Sequence, residues 1–335
     1  MNQGRIVVWG AGSWGTALAL HLHALGNDVA MWVYEKPQYE EMAASGENPD
    51  FLPGHPLPGS LKLFHDPKEV PEGARLWLSA TPAQAVRTLW TDIGSRCSQD
   101  TLVVTASKGI ERTSLLFMSA VIESFLPPGS RPVTSLSGPS FATGVAGGDP
   151  TAFVLASPDA DVSLEVQRIF SGRNVRGYAS TDRTGVELGG AVKNIIAIAC
   201  GIASGLGFGH NTVAALITRG LREIVRLGEC LGADPLTFAG LSGVGDLVLT
   251  CTGGESRNRT VGFRLGRGET LRDILGGMKM VAEGVETTRS VADLSRREGV
   301  EMPITLVVER IIFEDLHPRK ALEELLSRDL KPESW

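Results

Sequence analysis

The chain has 335 residues, 42% of them apolar and 21% charged, with a formal net charge of −6. That length accommodates two domains, each with its own core, and the mild acidity excludes the general electrostatic pull toward nucleic acid or anionic membrane that a basic protein has. Cys97, Cys200, Cys230 and Cys251 form no CxxC pair and no cluster with histidine at metal-ligand spacing, so no metal site and a reducing compartment are expected.

The opening MNQGRIVVWGAGSWG lacks the basic segment and longer apolar run of a secretory leader, and a cytoplasmic protein is expected. Its apolar strand RIVVW runs directly into GAGSWG, residues 10–15, and then into the helical WGTALALHLHAL. A bare GxGxxG is a weak signal, but a strand before it and a helix after it make it a dinucleotide fingerprint. Gly10 makes the turn, Gly12 admits a pyrophosphate to the backbone, and Gly15 lets helix and strand pack closely. The helix N-terminus then offers amides and a positive dipole to the phosphates. A second strand is predicted at 28–33, followed by Tyr34, Glu35 and Lys36. Glu35 can hold ribose hydroxyls and repel a 2′-phosphate, whereas Lys36 could do the opposite, so the choice between NAD and NADP stays open.

Further strands predicted at 76–79, 102–105, 132–135 and 152–155 alternate with helices at 14–25, 82–90, 114–125 and 161–170. This is the pattern of a mostly parallel sheet with helices on both faces. Two loops follow strands of that sheet, ASKGI with Lys108 and SGPSFA with Gly138, Ser140 and Ala142. Carboxyl ends of parallel strands face the ligand crevice, which makes Lys108 a candidate site lysine as well as an ordinary loop lysine.

Beyond about residue 184 only helices are predicted, at 185–205, 212–232, a pair around 236–250 and 257–267, then 286–299, 304–314 and 318–327. The chain therefore reads as an α/β Rossmann-type domain, 1–183, followed by an all-α substrate domain, 184–335. Between Glu187 and Arg219 the one charged side chain is Lys193, set among Ala, Ile, Val and Gly. The run is long enough to span a bilayer, but Lys193, Asn194 and its glycines favour a buried core helix. A buried ammonium is costly unless it is paired, snorkelling or used. Gly189, Gly190 and Ala197, one turn away, leave room for a close neighbour or a ligand.

Asp246 follows a glycine-rich turn, and Ser256 is suited to cap the helix that begins with Arg257 and Asn258. An arginine opposes the dipole at a helix start unless an anion binds there, where its guanidinium and the helix amides would both meet a phosphate. Arginines 257, 259, 264 and 267 also have the look of a nucleic-acid helix, but the chain is acidic and no aromatics are interleaved.

Taken in order, GAGSWGTALA, ASKGI, SGPSFA, GVELGGAVKNIIAIA, ITRGL, GLSGVGDLVLTCT, SRNR, VAEGVET and EMPI resemble the bacterial-type NAD(P)-dependent glycerol-3-phosphate dehydrogenases, from about residue 5 to 315. The resemblance implies an NAD(P)+/NAD(P)H cofactor and interconversion of sn-glycerol 3-phosphate and dihydroxyacetone phosphate, supplying phospholipid synthesis. It implies Lys193 as general acid/base with Asn194 beside it, Lys108 near the substrate carbonyl, and Asp246 and Thr250 around the amines. Ser256, Arg257 and Asn258 match the substrate-phosphate site, with Gly138 and Ser140 on the substrate loop. Ser13, Trp14, Ala142, Val281 and Glu283 match cofactor-contacting positions, and Lys108 and Arg257 border the cofactor as well. Many members carry Arg or His where this chain has Tyr34, next to Glu35.

Desolvation and Lys108 should lower the pKa of Lys193 into a useful range, with Asp246 orienting the amine and moderating the shift. Two other readings compete. A hydroxy-acid dehydrogenase of the same build would need a carboxylate site in place of the Arg-Asn helix start. A non-catalytic nicotinamide sensor would need no Lys193, Lys108 and Arg257 together. The expected partner is a small molecule, with neither nucleic acid nor a membrane span, and the apolar helical domain suggests a homodimer.

Overall fold

The computed structural model describes residues 4–327, 329–330 and 332–333, so the outermost ends of both expected domains lie outside the described residues. Strand β1 (Arg5–Trp9) passes through the glycine turn into α1 (Ser13–Ala24), then β2 (Asp28–Trp32) and α2 (Lys36–Ser45). A hairpin of β3 (Glu47–Asn48) and β4 (Leu52–Pro56) precedes β5 (Lys62–Phe64), β6 (Leu76–Ser79) and α3 (Val86–Ile93). Next come β7 (Leu102–Thr105), α4 (Met118–Glu123) and β8 (Thr134–Ser137). The sheet is completed by α5 (Ala142–Gly147), β9 (Thr151–Ala156), α6 (Ala160–Phe170) and β10 (Val175–Ser180).

Eight strands form one sheet in the order β10-β9-β8-β7-β6-β1-β2-β5. Every pairing is parallel except that of β8 with β9. The strand order reverses between β1 and β6, so the loops after these two strands diverge and leave a crevice at their carboxyl ends. Buried apolar side chains collect on both faces of the sheet, Val8, Leu18, Leu78 and Leu155 on one, Val7, Trp77, Trp90 and Val103 on the other. The second face carries a row of indoles: Trp90 to Trp77, Trp77 to Trp9 and Trp9 to Trp32 have ring centroids 5.9, 5.0 and 5.9 Å apart.

The sequence-based expectations differ from this in places with physical reasons. The strand expected at 132–135 begins two residues later. The helix expected at 114–125 shrinks to α4, because Leu115 takes φ +58° and the Glu111 amide donates to Leu116 O in a turn. Strand β10 escaped notice: it is an edge strand with alternating exposure and a central Gly177 that weakens the β signal.

The remainder is helical: α7 (Arg183–Gly205), α8 (His210–Cys230), α9 (Asp246–Thr252), α10 (Arg257–Gly266), α11 (Leu271–Gly276), α12 (Glu283–Glu298), α13 (Pro303–Phe313) and α14 (Pro318–Leu326). Asp182 caps α7 by accepting from the Gly185 amide at 2.8 Å. By length and composition α7 could cross a membrane, yet 94% of its apolar window is buried inside this protein. Helix α10 lies on the backbone of α7. A Cβ at Gly201 would sit 2.1 Å from Arg259 O, and one at Gly262 would sit 2.0 Å from Ile198 O. That contact admits no side chain, and it places the start of α10 beside the middle of α7.

The helix expected at 236–250 is broken. A 3-10 turn at Pro235–Ala239 is followed by a wide turn at Leu241–Gly245, bent at Gly243 (φ −99°, ψ −106°). A Cβ on Gly243 would meet Phe238 O at 2.0 Å, so the bend requires glycine there. Helix α9 then starts at Asp246 and directs that carboxylate at α7.

Candidate active site

A cavity of about 430 Å³ opens where the carboxyl ends of the sheet meet α7, α9, α10 and the start of α12. Gly10, Gly12, Ser13, Trp14, Tyr34, Glu35 and Ala142 line it together with Lys108, Ser140, Lys193, Asn194, Asp246 and Thr250. Ser256, Arg257, Asn258, Val281 and Glu283 complete the set. The two remaining candidates stand behind the wall. Gly15 packs against Gly10, where a Cβ would lie 2.1 Å from Gly10 O. Gly138 takes φ +148° and offers its carbonyl to Ser140 Oγ at 3.0 Å and Lys108 Nζ at 3.4 Å.

The chemistry centres on two ammoniums and one carboxylate. Lys193 Nζ lies 2.5 Å from Asp246 Oδ1 and donates to Thr250 Oγ1 at 3.0 Å. Lys108 Nζ donates to Asp246 Oδ2 at 2.7 Å. Lys193 and Asp246 are both buried, so the lysine that stands alone in the sequence is paired across helices. Burial lowers Lys193 to about 8, with Asp246 opposing the shift and Lys108 adding to it. Burial alone would raise the Asp246 carboxyl, but Lys108 and Lys193 hold it below the ordinary carboxylate range.

Arg257 is the first residue of α10, behind Ser256, whose hydroxyl caps the helix by accepting from Arg259 N at 3.2 Å. Burial lowers the Arg257 guanidinium from its ordinary value, and Glu283 opposes this. Glu283 itself is pushed up to about 7 by burial, although it accepts the Ala83 amide at 3.2 Å and faces Arg257. Asn258 donates to Asn194 Oδ1 at 2.9 Å and accepts from the Gly284 amide at 2.9 Å, tying α10, α7 and α12 together.

The cavity also has residues that sequence reasoning did not single out. Gln38 reaches back to Ala11 O at 2.7 Å, Met280 places its sulfur 3.2 Å from Ser13 Oγ, and Thr81 lines the wall after β6. None carries a motif; each arrives through tertiary placement. The side-chain polar atoms Trp14 Nε1 and Thr81 Oγ1 are buried without a partner, although both residues line the cavity. A Cβ on Gly12 would meet nothing within 4 Å, and the amides that begin α1 have no side-chain cap. This end of the cavity therefore presents open donors and unfilled space, as an anionic dinucleotide requires.

Comparison with known proteins agrees in both halves. A family model for the NAD-dependent glycerol-3-phosphate dehydrogenase N-terminus matches residues 5–163, and one for the C-terminus of the same enzymes matches residues 182–323. The chain is 51% identical over 332 residues to a glycerol-3-phosphate dehydrogenase [NAD(P)+] of Geobacter sulfurreducens, covering 99% of each chain. It is 49% identical to the protein of that name from Geobacter metallireducens, covering 98% of each. A crystal structure of glycerol-3-phosphate dehydrogenase from Coxiella burnetii superposes with a TM-score of 0.93 at 42% identity, over 97% of this chain and 99% of that one.

Proposed function

The chain belongs to the NAD-dependent glycerol-3-phosphate dehydrogenase family, and on that premise we propose how its own residues carry the reaction. It interconverts dihydroxyacetone phosphate and sn-glycerol 3-phosphate, whose product supplies glycerophospholipid synthesis, and uses NAD(P)(H). The observation that carries the reading is the Lys193–Asp246–Lys108 cluster in one cavity with the arginine-led start of α10.

The bound nicotinamide supplies or accepts the hydride. Gly10, Gly12, Ser13 and Trp14 would hold the dinucleotide's phosphates at the amides that open α1, and Ala142, Val281 and Glu283, which line the same cavity, would contact the cofactor as well. Arg257, with Ser256 and Asn258, binds the substrate phosphate, and Ser140 and Asn194 shape the pocket around its carbon chain, with the Gly138 carbonyl behind them holding Ser140 and Lys108. Hydride arrival builds negative charge on the ketone oxygen, and Lys193 Nζ donates the proton there. Lys108 adds a second positive charge near that oxygen, and Asp246 and Thr250 fix both amines in place. We place the division of labour near residue 183, with Lys108 coming from the sheet domain and the other catalytic groups from the helical one.

The test is oxidation of NADH and NADPH with dihydroxyacetone phosphate, against unphosphorylated dihydroxyacetone as control. Arg257→Leu should weaken use of the phosphorylated substrate by about 10–100-fold, the worth of charge-assisted bonds to a phosphate, and leave the poor use of dihydroxyacetone almost unchanged. Binding energy from the non-reacting phosphate also orients the carbonyl, so both KM and kcat should suffer. An equal loss on both substrates would assign Arg257 to the cofactor instead.

A further inference from the structure

We infer that this chain selects NAD(H) over NADP(H), and that Glu35 is the residue that makes the selection. The inference rests on the dinucleotide reading above and goes beyond it by naming the cofactor.

With the pyrophosphate on the α1 N-terminus, the adenosine ribose falls at the carboxyl end of β2. Trp32, Tyr34, Glu35 and Gln38 line the cavity there. Glu35 precedes the first residue of α2, yet its side chain makes no capping bond to that helix. The carboxylate has no hydrogen-bond or ion-pair partner among the described residues. It is therefore a free acceptor, able to take both adjacent hydroxyls of an unmodified ribose. A 2′-phosphate would meet it as a like charge and would need a cation to offset the repulsion.

The cavity wall supplies none without a carboxylate beside it. Lys36 does not line the cavity and has its Nζ 3.8 Å from Glu40 Oε1. His65 turns its Nδ1 to Val33 O at 3.1 Å and is also absent from the cavity wall. Gln38 directs its amide nitrogen to Ala11 O at 2.7 Å and Asn48 Oδ1 at 3.4 Å, so both its N–H groups are in use. Pro37 removes one amide from the first turn of α2, which weakens that helix end as a phosphate site. Of the cations that do line the cavity, Lys108 and Lys193 are held by Asp246, Arg257 faces Glu283, and Lys279 is paired with Asp50 at 2.5 Å. Tyr34, 69% exposed and set edge-on to Trp32 at 5.7 Å, presents an aromatic ring in place of a guanidinium.

Isothermal titration calorimetry of the full chain with NADH and NADPH, in the absence of substrate, tests this. Wild type should bind NADH about tenfold or more tightly than NADPH, the worth of one hydrogen bond to a charged group. Glu35→Gln should narrow the ratio, and Tyr34→Arg combined with Glu35→Gln should reverse it. Equal or tighter binding of NADPH by wild type overturns the inference, as does a ratio that Glu35→Gln leaves unmoved. Turnover of dihydroxyacetone phosphate with NADPH preferred would overturn it while leaving the proposed activity intact. Failure of wild type to bind either dinucleotide would overturn the inference and the proposed function together.

Discussion

Lys193 is held by a carboxylate that it shares with Lys108, and this decides what its removal does. Lys193→Ala should still bind cofactor but lose turnover by about 10²–10⁴-fold, the usual contribution of a positioned acid, measured by steady-state kinetics in both directions. A lone buried ammonium would predict a more stable variant. The ion pair predicts the opposite, because the substitution leaves the buried Asp246 with one amine where it had two, so the melting temperature should not rise. The pH profile follows from the value near 8. Ketone reduction needs the ammonium, so its rate should hold below about 8 and fall as pH passes that value; alcohol oxidation needs the free amine and should rise through the same range. At this scale Lys193 and Arg257 were legible, as charges placed where the local pattern disfavours them; Asp246 opens a helix, where a carboxylate is ordinary, and was given its role by the resemblance alone. Gln38, Thr81 and Met280 were not legible, since a polar or flexible residue with no special spacing announces nothing until the chain has folded around it.

Helix α10 works by proximity to α7. The pairs Gly201 and Gly205 on α7, and Gly262 and Gly266 on α10, let two backbones touch, and the contact sets where Arg257 and Asn258 stand relative to Lys193 and Asn194. Gly262→Ala should cost about 1–3 kcal/mol by overpacking, seen in urea unfolding, because the neighbouring atom is the Ile198 carbonyl and cannot rotate away. The same variant should raise KM for dihydroxyacetone phosphate as the α10 start is pushed outward. Long elements such as α7 and α8 could be read in the sequence, α7 as a sustained apolar run and α8 by its apolar period, while α1 was read from the glycine turn before it. The break at Gly243 was legible only as a glycine-rich turn before Asp246; that the bend falls at Gly243 shows only in the approach of Phe238.

The molecule as a whole has one apolar core around α7 and two more on the faces of the sheet, and the Lys108–Asp246 pair crosses from the sheet to the helices. Away from that junction, Glu223 on α8 accepts the Ile304 and Thr305 amides at 2.6 and 3.1 Å, so it caps α13 from another helix. Burial pushes it up to about 7, above its unfolded value near 4.5. Its contribution to stability is therefore complete below about 4.5 and is lost as pH rises through 7. Thermal unfolding of wild type and Glu223→Gln at pH 5 and pH 8 should show the wild-type advantage shrinking at the higher pH by roughly 3 kcal/mol at most. The row of indoles has a consequence of another kind. Trp90, Trp77, Trp9 and Trp32 stand within 6 Å of one another in succession, and the last of them borders the cavity, as does Trp14. At these separations excitation passes between rings in both directions, and one end of the row lies at the cavity wall, where a reduced nicotinamide absorbs in the band that indole emits and an oxidised one does not. The dimming of the protein's own fluorescence thus reports reduced dinucleotide in the cleft, and its return reports oxidation or release, with no label attached.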